Sequence, residues 1–307
     1  MSMKPDILKD VLSRITAEYG LKVKGNWLQQ GKCPKCSRRE LFAHAEGPWI
    51  LRCGRSNRCG WEGSVKELYP DIFDTWSNRF QASEANPNAA ADAYLHHKRG
   101  LNINGLIGAY SQETYHERQG NLVSATIRFP LPGGSWWERL IDQPGRFDKK
   151  ARFKPGASYA GQWWQAPDQP TDKLATAERI WIAEGIFDAM ALRQAGLFAV
   201  SSMSVNNYPE KGLADLRKTC SDQGLKQPEL VFAFDVGKAG AEYTRRYVAR
   251  AREDGWRATA AQPRPEGEAE KLDWNDLLER NRLNGSDDRG RAWLDHCKRC
   301  FAHTLTA

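Results

Sequence analysis

Four cysteines within 27 residues constrain this chain more than any other feature: Cys33-x2-Cys36, sixteen intervening residues, then Cys53-x5-Cys59. Two closely spaced pairs on two turns supply four soft ligands, the set that zinc takes in a closed tetrahedral structural site. The first pair, in Lys-Cys-Pro-Lys-Cys-Ser, has the usual knuckle spacing; the second is looser. The full count of seven cysteines is odd, and clustered pairs in a reducing compartment speak for metal rather than a disulfide framework. The spacing therefore assigns Cys33, Cys36, Cys53 and Cys59 to one structural Zn2+, with reduced core cysteines as the plain alternative. Four thiolates close such a site, so His44 reads as a surface residue. A second pair, Cys297-x2-Cys300 beside His296 and His303, is an incomplete metal set, and Cys220 reads as an ordinary thiol.

A chain of 307 residues has room for two domains or three small ones. It shows no apolar run near the ~20 residues of a membrane span, and Met1–Asp10 carries no apolar leader segment. The expectation is a cytoplasmic protein with no membrane partner. The formal charge is +7, and its distribution matters more than its size. Residues 31–60 carry seven Lys/Arg against two acids, and residues 121–160 carry seven against three. Twelve tryptophans, several near Arg or Lys, add flat faces. Cations for phosphates plus aromatic platforms for bases suit single-stranded nucleic acid, with Trp49 and Trp61 as the platforms on the cysteine-rich unit. The bland alternative is solvated charge on a structural ribbon.

Along the chain, Pro5–Tyr19 reads as a helix, with Ile7, Leu8, Val11, Leu12 and Ile15 at helical spacing. Trp49–Arg52 reads as a short strand. Asp74–Asp92 is polar enough to be a linker. Ser124–Leu131, a Pro-Gly-Gly-Ser turn and Trp136–Ile141 read as a hairpin. From Glu178 strand and helix alternate: Arg179–Ala183, Ile186–Gln194, Leu197–Ser201, Glu229–Phe234, Gly240–Glu253 and Arg257–Gln262. That order predicts a mostly parallel sheet covered by helices. Asn281–Ala307 reads as a polar tail.

Within this alternation, Glu184 follows one strand and Asp235 another, so both sit at carboxyl ends, where open α/β sheets place their ligands. Asp273 and Asp276, in Asp-Trp-Asn-Asp, follow the last strand. Carboxylates crowded at one rim repel one another unless a cation compensates them, which points to Mg2+ or Mn2+ and to a phosphate-bearing substrate. Taken singly, each acid could equally be a helix cap or turn residue.

These residues resemble a known family. Ile182-Ala-Glu184-Gly185-Ile-Phe-Asp188 is similar to the first TOPRIM motif, and Phe234-Asp235-Val-Gly237-Lys-Ala-Gly240 to the second. Asp273-Trp-Asn-Asp276-Leu-Leu resembles the third acidic stretch in TOPRIM proteins of phages and plasmids. A four-cysteine ribbon, a basic β-rich middle and a TOPRIM domain, in that order, resemble DnaG-type primases and the primase half of phage primase–helicases. The resemblance covers about residues 5–283. It implies an α/β TOPRIM fold, a mostly parallel sheet flanked by helices, preceded by a small β zinc ribbon and a basic α+β subdomain. The implied domains are 1–73 (helix and ribbon), 74–92 (linker), 93–170 (basic RNA-polymerase-type subdomain), 171–283 (TOPRIM) and 284–307 (tail).

The implied activity is that of a DNA primase, a nucleotidyltransferase making short RNA primers on single-stranded DNA from ribonucleoside triphosphates. Glu184, Asp235, Asp273 and Asp276 would be catalytic, with Glu184, Asp235 and Asp273 on Mg2+ or Mn2+. Arg128, Arg139, Lys149, Lys150, Arg152, Lys154 and Lys238 would hold template or nucleotide phosphates. One departure stands out: where the family carries Asp-x-Asp, this chain has Asp235-Val-Gly237. Asp273, Asp276 or a water takes over that role, or activity is lost. A non-catalytic DNA-binding replication module and a TOPRIM nuclease are therefore the alternatives. No G-x4-G-K-[ST] motif occurs, so a helicase motor would come from a separate chain or from a continuation of this one.

Overall fold

The computed structural model describes residue 3 and residues 5–117, 122–263, 272–280 and 291–297. The chain divides into two compact units: Met1–Ala91 with Gln112–Ile127 and Arg139–Lys150, and Asp92–Ser111 with Arg128–Glu138 and Ala151–Ala307.

The first unit opens with helix α1 (Pro5–Tyr19), the predicted span. Val11, Ile15 and Tyr19 fall on one stripe and are buried, because a 3.6-residue period puts i and i+4 on the same face. They pack on a five-stranded meander: β1 (Lys22–Lys24), β2 (Trp27–Gly31), β3 (Leu41–His44), β4 (Ile50–Cys53) and β5 (Glu62–Ser64), paired in sequence order and antiparallel throughout. Register pairs Leu28 with Ala43 and Leu41 with Cys53, so one face is apolar core and carries Cys53 at its margin. Short helices α2 (Val65–Leu68), α3 (Pro70–Phe73) and α4 (Trp76–Arg79) follow.

The start of the 74–92 stretch, expected as a linker, is anchored, while residues 81–87 are exposed. Thr75 caps α4 by accepting from the Asn78 N–H, and Arg79 pairs with Asp74. The Ser77 N–H (3.1 Å) and hydroxyl (2.5 Å) both donate to the Asp142 carboxylate, which also accepts from the Ala125 N–H at 3.0 Å. Short polar residues that look like linker composition serve here as caps and anchors. The segment ends in α5 (Ala89–Ala93), which continues into a π-helical turn, Tyr94–Lys98.

A four-stranded sheet comes next, ordered β6 (Ser111–Glu117), β7 (Leu122–Leu131), β8 (Ser135–Leu140), β9 (Ala151–Phe153), with the expected Pro-Gly-Gly turn between β7 and β8.

The second unit contains the predicted parallel sheet. Its strands are β10 (Trp164–Gln165), β11 (Arg179–Ala183), β12 (Ala199–Ser201), β13 (Glu229–Ala233) and β14 (Ala258–Ala260), in the order β10-β12-β11-β13-β14. All pairs are parallel except β10 with β12, an antiparallel edge strand that the sequence reading missed. Helices α6 (Thr171–Ala175), α7 (Ile186–Gln194), α8 (Glu210–Asp222), α9 (Lys238–Glu253) and α10 (Trp274–Glu279) complete it, together with a helical stretch at 291–297. Ile180, Ile182, Leu230 and Phe232 are fully buried, as a strand covered on both faces requires. Among the described residues no helix is long and apolar enough to cross a membrane.

Candidate functional site: a four-thiol centre and a carboxylate cluster

The four predicted cysteines converge in the first unit. Cys33 and Cys36 flank the turn after β2, Cys53 ends β4, and Cys59 closes the next loop. The Cys33–Cys59 and Cys36–Cys53 sulfur pairs are each 3.8 Å apart, and all four sulfurs lie within 4.8 Å of one another. A disulfide needs ~2.05 Å. Four thiolates at ~2.3 Å from a central zinc stand about 3.8 Å apart along a tetrahedron's edges. The donor set therefore fits zinc in chemistry and spacing.

The backbone prepares the sulfurs for that charge. The Arg38 N–H lowers the Cys36 thiol to about 7, and N–H groups of Arg55 and Trp61 face Cys53 and Cys59. Burial nevertheless pushes Cys53 up to about 12 and Cys59 upward. Without metal the cluster thus holds protons that zinc must displace. His44 is no ligand: its ring lies against Trp27 at 5.4 Å, and its Nδ1 accepts from the Glu46 N–H. Trp49 and Trp61, expected as aromatic platforms, are half-buried and pack on Phe73 (5.9 Å) and Tyr19 (6.5 Å). The exposed indole of this sheet is Trp27.

The acids converge in the second unit. Glu184 follows β11, Asp235 follows β13 by one residue, and Asp273 is the N-cap of α10, its carboxylate accepting from the Asp276 N–H at 2.6 Å. Carboxylate oxygens of Asp188, Asp235 and Asp273 lie within 4.8 Å of one another. Asp188, in the first turn of α7 and not among the residues the sequence singles out for metal, is the third member of this cluster. A Cβ on Gly185 would come within 2.5 Å of the Asp188 Oδ2, so a side chain at this turn would have to displace that carboxylate. Glu184 and Asp276 are outside the three-oxygen cluster, although both charges act on Asp235.

The electrostatics follow from crowding. Burial, then the charges of Glu184, Asp273 and Asp276, push Asp235 up to about 8. Burial and the Asp235 and Asp273 charges hold Asp188 well above the ordinary carboxylate range. Glu184 is raised by burial and by Asp273. Asp235 Oδ1 is buried and meets no hydrogen-bond donor. An orphaned acceptor among like charges is what a bound divalent cation would satisfy, and hard carboxylate oxygens are the ligands that Mg2+ and Mn2+ take.

Gly237, where the family pattern has a second Asp, is the N-cap of α9 at φ 154°, ψ 167°. An L side chain rarely adopts that backbone conformation. The missing carboxylate is thus built into the turn, and Asp188 and Asp273 supply the neighbours of Asp235.

The predicted cations divide between the units. Arg139, Lys149 and Lys150 belong to the first, the two lysines exposed; Arg128, Arg152, Lys154 and Lys238 belong to the second. Arg128 on β7 and Arg152 on β9 flank β8 and meet its fully buried Glu138. Arg128 Nε donates at 2.8 Å and Arg152 Nε at 3.2 Å, and both guanidinium groups lie over the Trp136 ring, at 4.5 and 5.2 Å. The Lys154 ammonium donates to the Gly134 carbonyl at 2.8 Å, and Phe153 stacks flat on Tyr159 at 3.7 Å. On the opposite face Phe129 and Trp137 pack on Phe187 of α7, next to Asp188. Cys300 and His303 of the second cysteine pair lie outside the described residues, while Cys297 is buried in the 291–297 helix.

Residues 181–278 match the Toprim-like family. No curated protein sequence matches the chain. Among solved structures the chain is similar to the zinc-binding and RNA polymerase domains of the Aquifex aeolicus primase (14% identity, 96% of this chain and 86% of that one, TM-score 0.48). It is also similar to the RNA polymerase domain of Mycobacterium tuberculosis primase DnaG (19%, 76% and 74%, TM-score 0.44). A third is a DnaG primase catalytic domain bound to single-stranded DNA (16%, 70% and 75%, TM-score 0.48).

Proposed function

We propose that this chain, whose residues 181–278 form a Toprim-like domain, is a DNA primase that makes short RNA primers on a single-stranded DNA template. The observation that carries this reading is the cluster of Asp188, Asp235 and Asp273 at the carboxyl ends of parallel strands, with its orphaned Asp235 oxygen, in a chain that also holds a zinc-type four-thiol centre. The three aspartates would hold Mg2+ or Mn2+, and a bound ion supplies charge neutralisation on the phosphates and acidifies a nearby hydroxyl.

In the reaction proposed, a primer 3′-oxygen forms a bond to the α-phosphorus of an incoming ribonucleoside triphosphate. The bond from that phosphorus to the bridging oxygen breaks, and pyrophosphate leaves. The proton of the attacking hydroxyl goes to a carboxylate. Glu184 suits that role: it is partly accessible, outside the three-oxygen cluster, and burial and the Asp273 charge make its carboxylate a stronger proton acceptor than an ordinary glutamate. Asp276 orders the turn that presents Asp273. Arg128 and Arg152 on their buried Glu138 anchor, with Arg139, Lys149, Lys150, Lys154 and Lys238, hold template and triphosphate phosphates. The four-thiol unit fixes the fold of the segment that selects the start site. The setting proposed is the cytoplasm, in phage or plasmid replication, with a replicative helicase as partner or as a continuation of this chain.

The test is incubation of the zinc-loaded chain with single-stranded DNA and labelled ribonucleotides under Mg2+ or Mn2+, beside Asp235→Ala and Glu184→Ala. Short RNA products that both substitutions abolish are expected. DNA cut in the absence of nucleotides would replace this reading by a nuclease. DNA bound without any synthesis would replace it by a binding module.

A further inference from the structure

We propose that Arg99 is a positioning residue for the carboxylate cluster, fixing through Asn275 the two helices that carry Asp188 and Asp273. The proposal rests on the reading of that cluster as a divalent-cation site. Arg99 follows the π-helical turn and has a side chain only 16% exposed. Its NH1 donates to Asn275 Oδ1 at 3.1 Å, and Asn275 Nδ2 donates back to the Arg99 carbonyl at 2.8 Å. Both ends of a buried amide are thus spent on one residue 176 positions earlier in the chain. The Asn275 backbone N–H donates to Asp188 Oδ1 at 3.1 Å, and Asp273, two residues before Asn275, caps the same helix.

Of the other contacts of Arg99, two are to the same two helices and the rest are to Tyr94 of its own π-helical turn, whose hydroxyl accepts from Arg99 Nε at 3.3 Å. Its guanidinium lies 4.7 Å over the ring of Phe187, the residue before Asp188, and 5.6 Å over Tyr94. It reaches Glu279, at the far end of α10, at 3.9 Å. Among these contacts none is to a cluster carboxylate. Arg99 touches what holds them: Phe187 for α7, Asn275 and Glu279 for α10. A planar fork that donates along its edge and stacks on its face can do both at once, which an ammonium cannot.

Charge and geometry predict opposite signs for its removal. A positive charge close to a cation site repels the cation, so deleting Arg99 for charge alone would tighten divalent-metal binding. Deleting a group that orients the ligands loosens it, by about tenfold to a hundredfold for outer-shell partners.

The experiment titrates the full-length, zinc-loaded chain with Mn2+ and follows free Mn2+ by electron paramagnetic resonance, for wild type, Arg99→Ala, Arg99→Lys, Asn275→Ala and the Arg99→Ala/Asn275→Ala double variant. About tenfold weaker binding is expected for Arg99→Ala. Arg99→Lys, which keeps the charge, should bind closer to Arg99→Ala than to wild type. The double variant should be no weaker than the weaker single one, because the two residues act through one contact. Zinc content should be equal in all. Wild-type or tighter binding by Arg99→Ala overturns the proposal, as does additivity in the double variant. If Arg99→Ala does not fold, Arg99→Lys and Asn275→Ala decide by the same criteria. A wild-type chain that binds no Mn2+ refutes the cation site itself and the role of Arg99 with it, a result distinct from the loss of the Arg99 effect alone.

Discussion

Asp235 shows how much one residue's surroundings can set its chemistry. Its carboxyl is raised to about 8 against an ordinary 3.8, so the folded, metal-free state favours the protonated form. The stability this contributes is complete below the unfolded value near 3.8 and is lost as pH rises through about 8. The melting temperature of the metal-free chain should therefore fall between pH 5 and pH 8, and Asp235→Asn should flatten that fall; equal slopes would contradict the crowding described here. Mn2+ binding should strengthen over the same interval, because metal and proton compete for the same oxygens. Glu184 and Asp235 are legible in the sequence because each follows a recognisable strand, and Asp273 because it opens the acidic stretch after the last one. Asp188 is not, because a helical acid carries no periodic signal. The signal that could have found it is its i+4 spacing from Glu184 across a glycine, where a side chain on Gly185 would meet the carboxylate.

At the scale of elements, the hairpin carries the sharpest test of buried charge. Glu138 is fully buried, and its two arginine partners are 28% and 30% exposed. Glu138→Ala leaves two cations over Trp136 without a counter-charge. Removing one partner of a buried ion pair costs about 3–5 kcal/mol, and because these arginines can turn to water, about 2–3 kcal/mol is expected from urea denaturation. Glu138→Gln keeps the shape and should cost less. A neutral effect of Glu138→Ala would show that the arginines do not depend on it.

Strongly patterned elements were read from sequence with little error: α1, the β7–β8 hairpin and the strands β11 and β13. Many other elements were not, and two show why. β10 is two residues long, below what alternation can reveal. α8 contains Gly212, which reads as a breaker, but a Cβ there would come within 2.5 Å of the Trp163 ring. That packing is tertiary, and no local pattern announces it.

At the scale of the whole molecule, two chemistries share one chain: a soft four-sulfur centre in the first unit and a hard three-carboxylate cluster in the second. They should be separable. Cys36→Ser should lower the zinc content, measured by elemental analysis, and loosen the 1–73 segment to proteolysis while leaving Mn2+ binding at the carboxylates intact. Unchanged zinc would remove Cys36 from the centre. Spacing and order pointed to both centres: four clustered cysteines, and acids that follow β11 and β13 or open the Asp-Trp-Asn-Asp stretch. They could not show that Gly237 takes backbone angles a side chain rarely adopts, nor that Asp188 lies beside Asp235 and Asp273. The most direct measurement is therefore primer synthesis by Asp188→Asn beside wild type, on single-stranded DNA with labelled ribonucleotides and Mn2+. The account predicts short RNA from the wild-type chain and a loss of at least about a hundredfold in the variant, of the order of losing a key charge-stabilising group, with zinc content unchanged. Full synthesis by Asp188→Asn, or none by the wild-type chain, would contradict it.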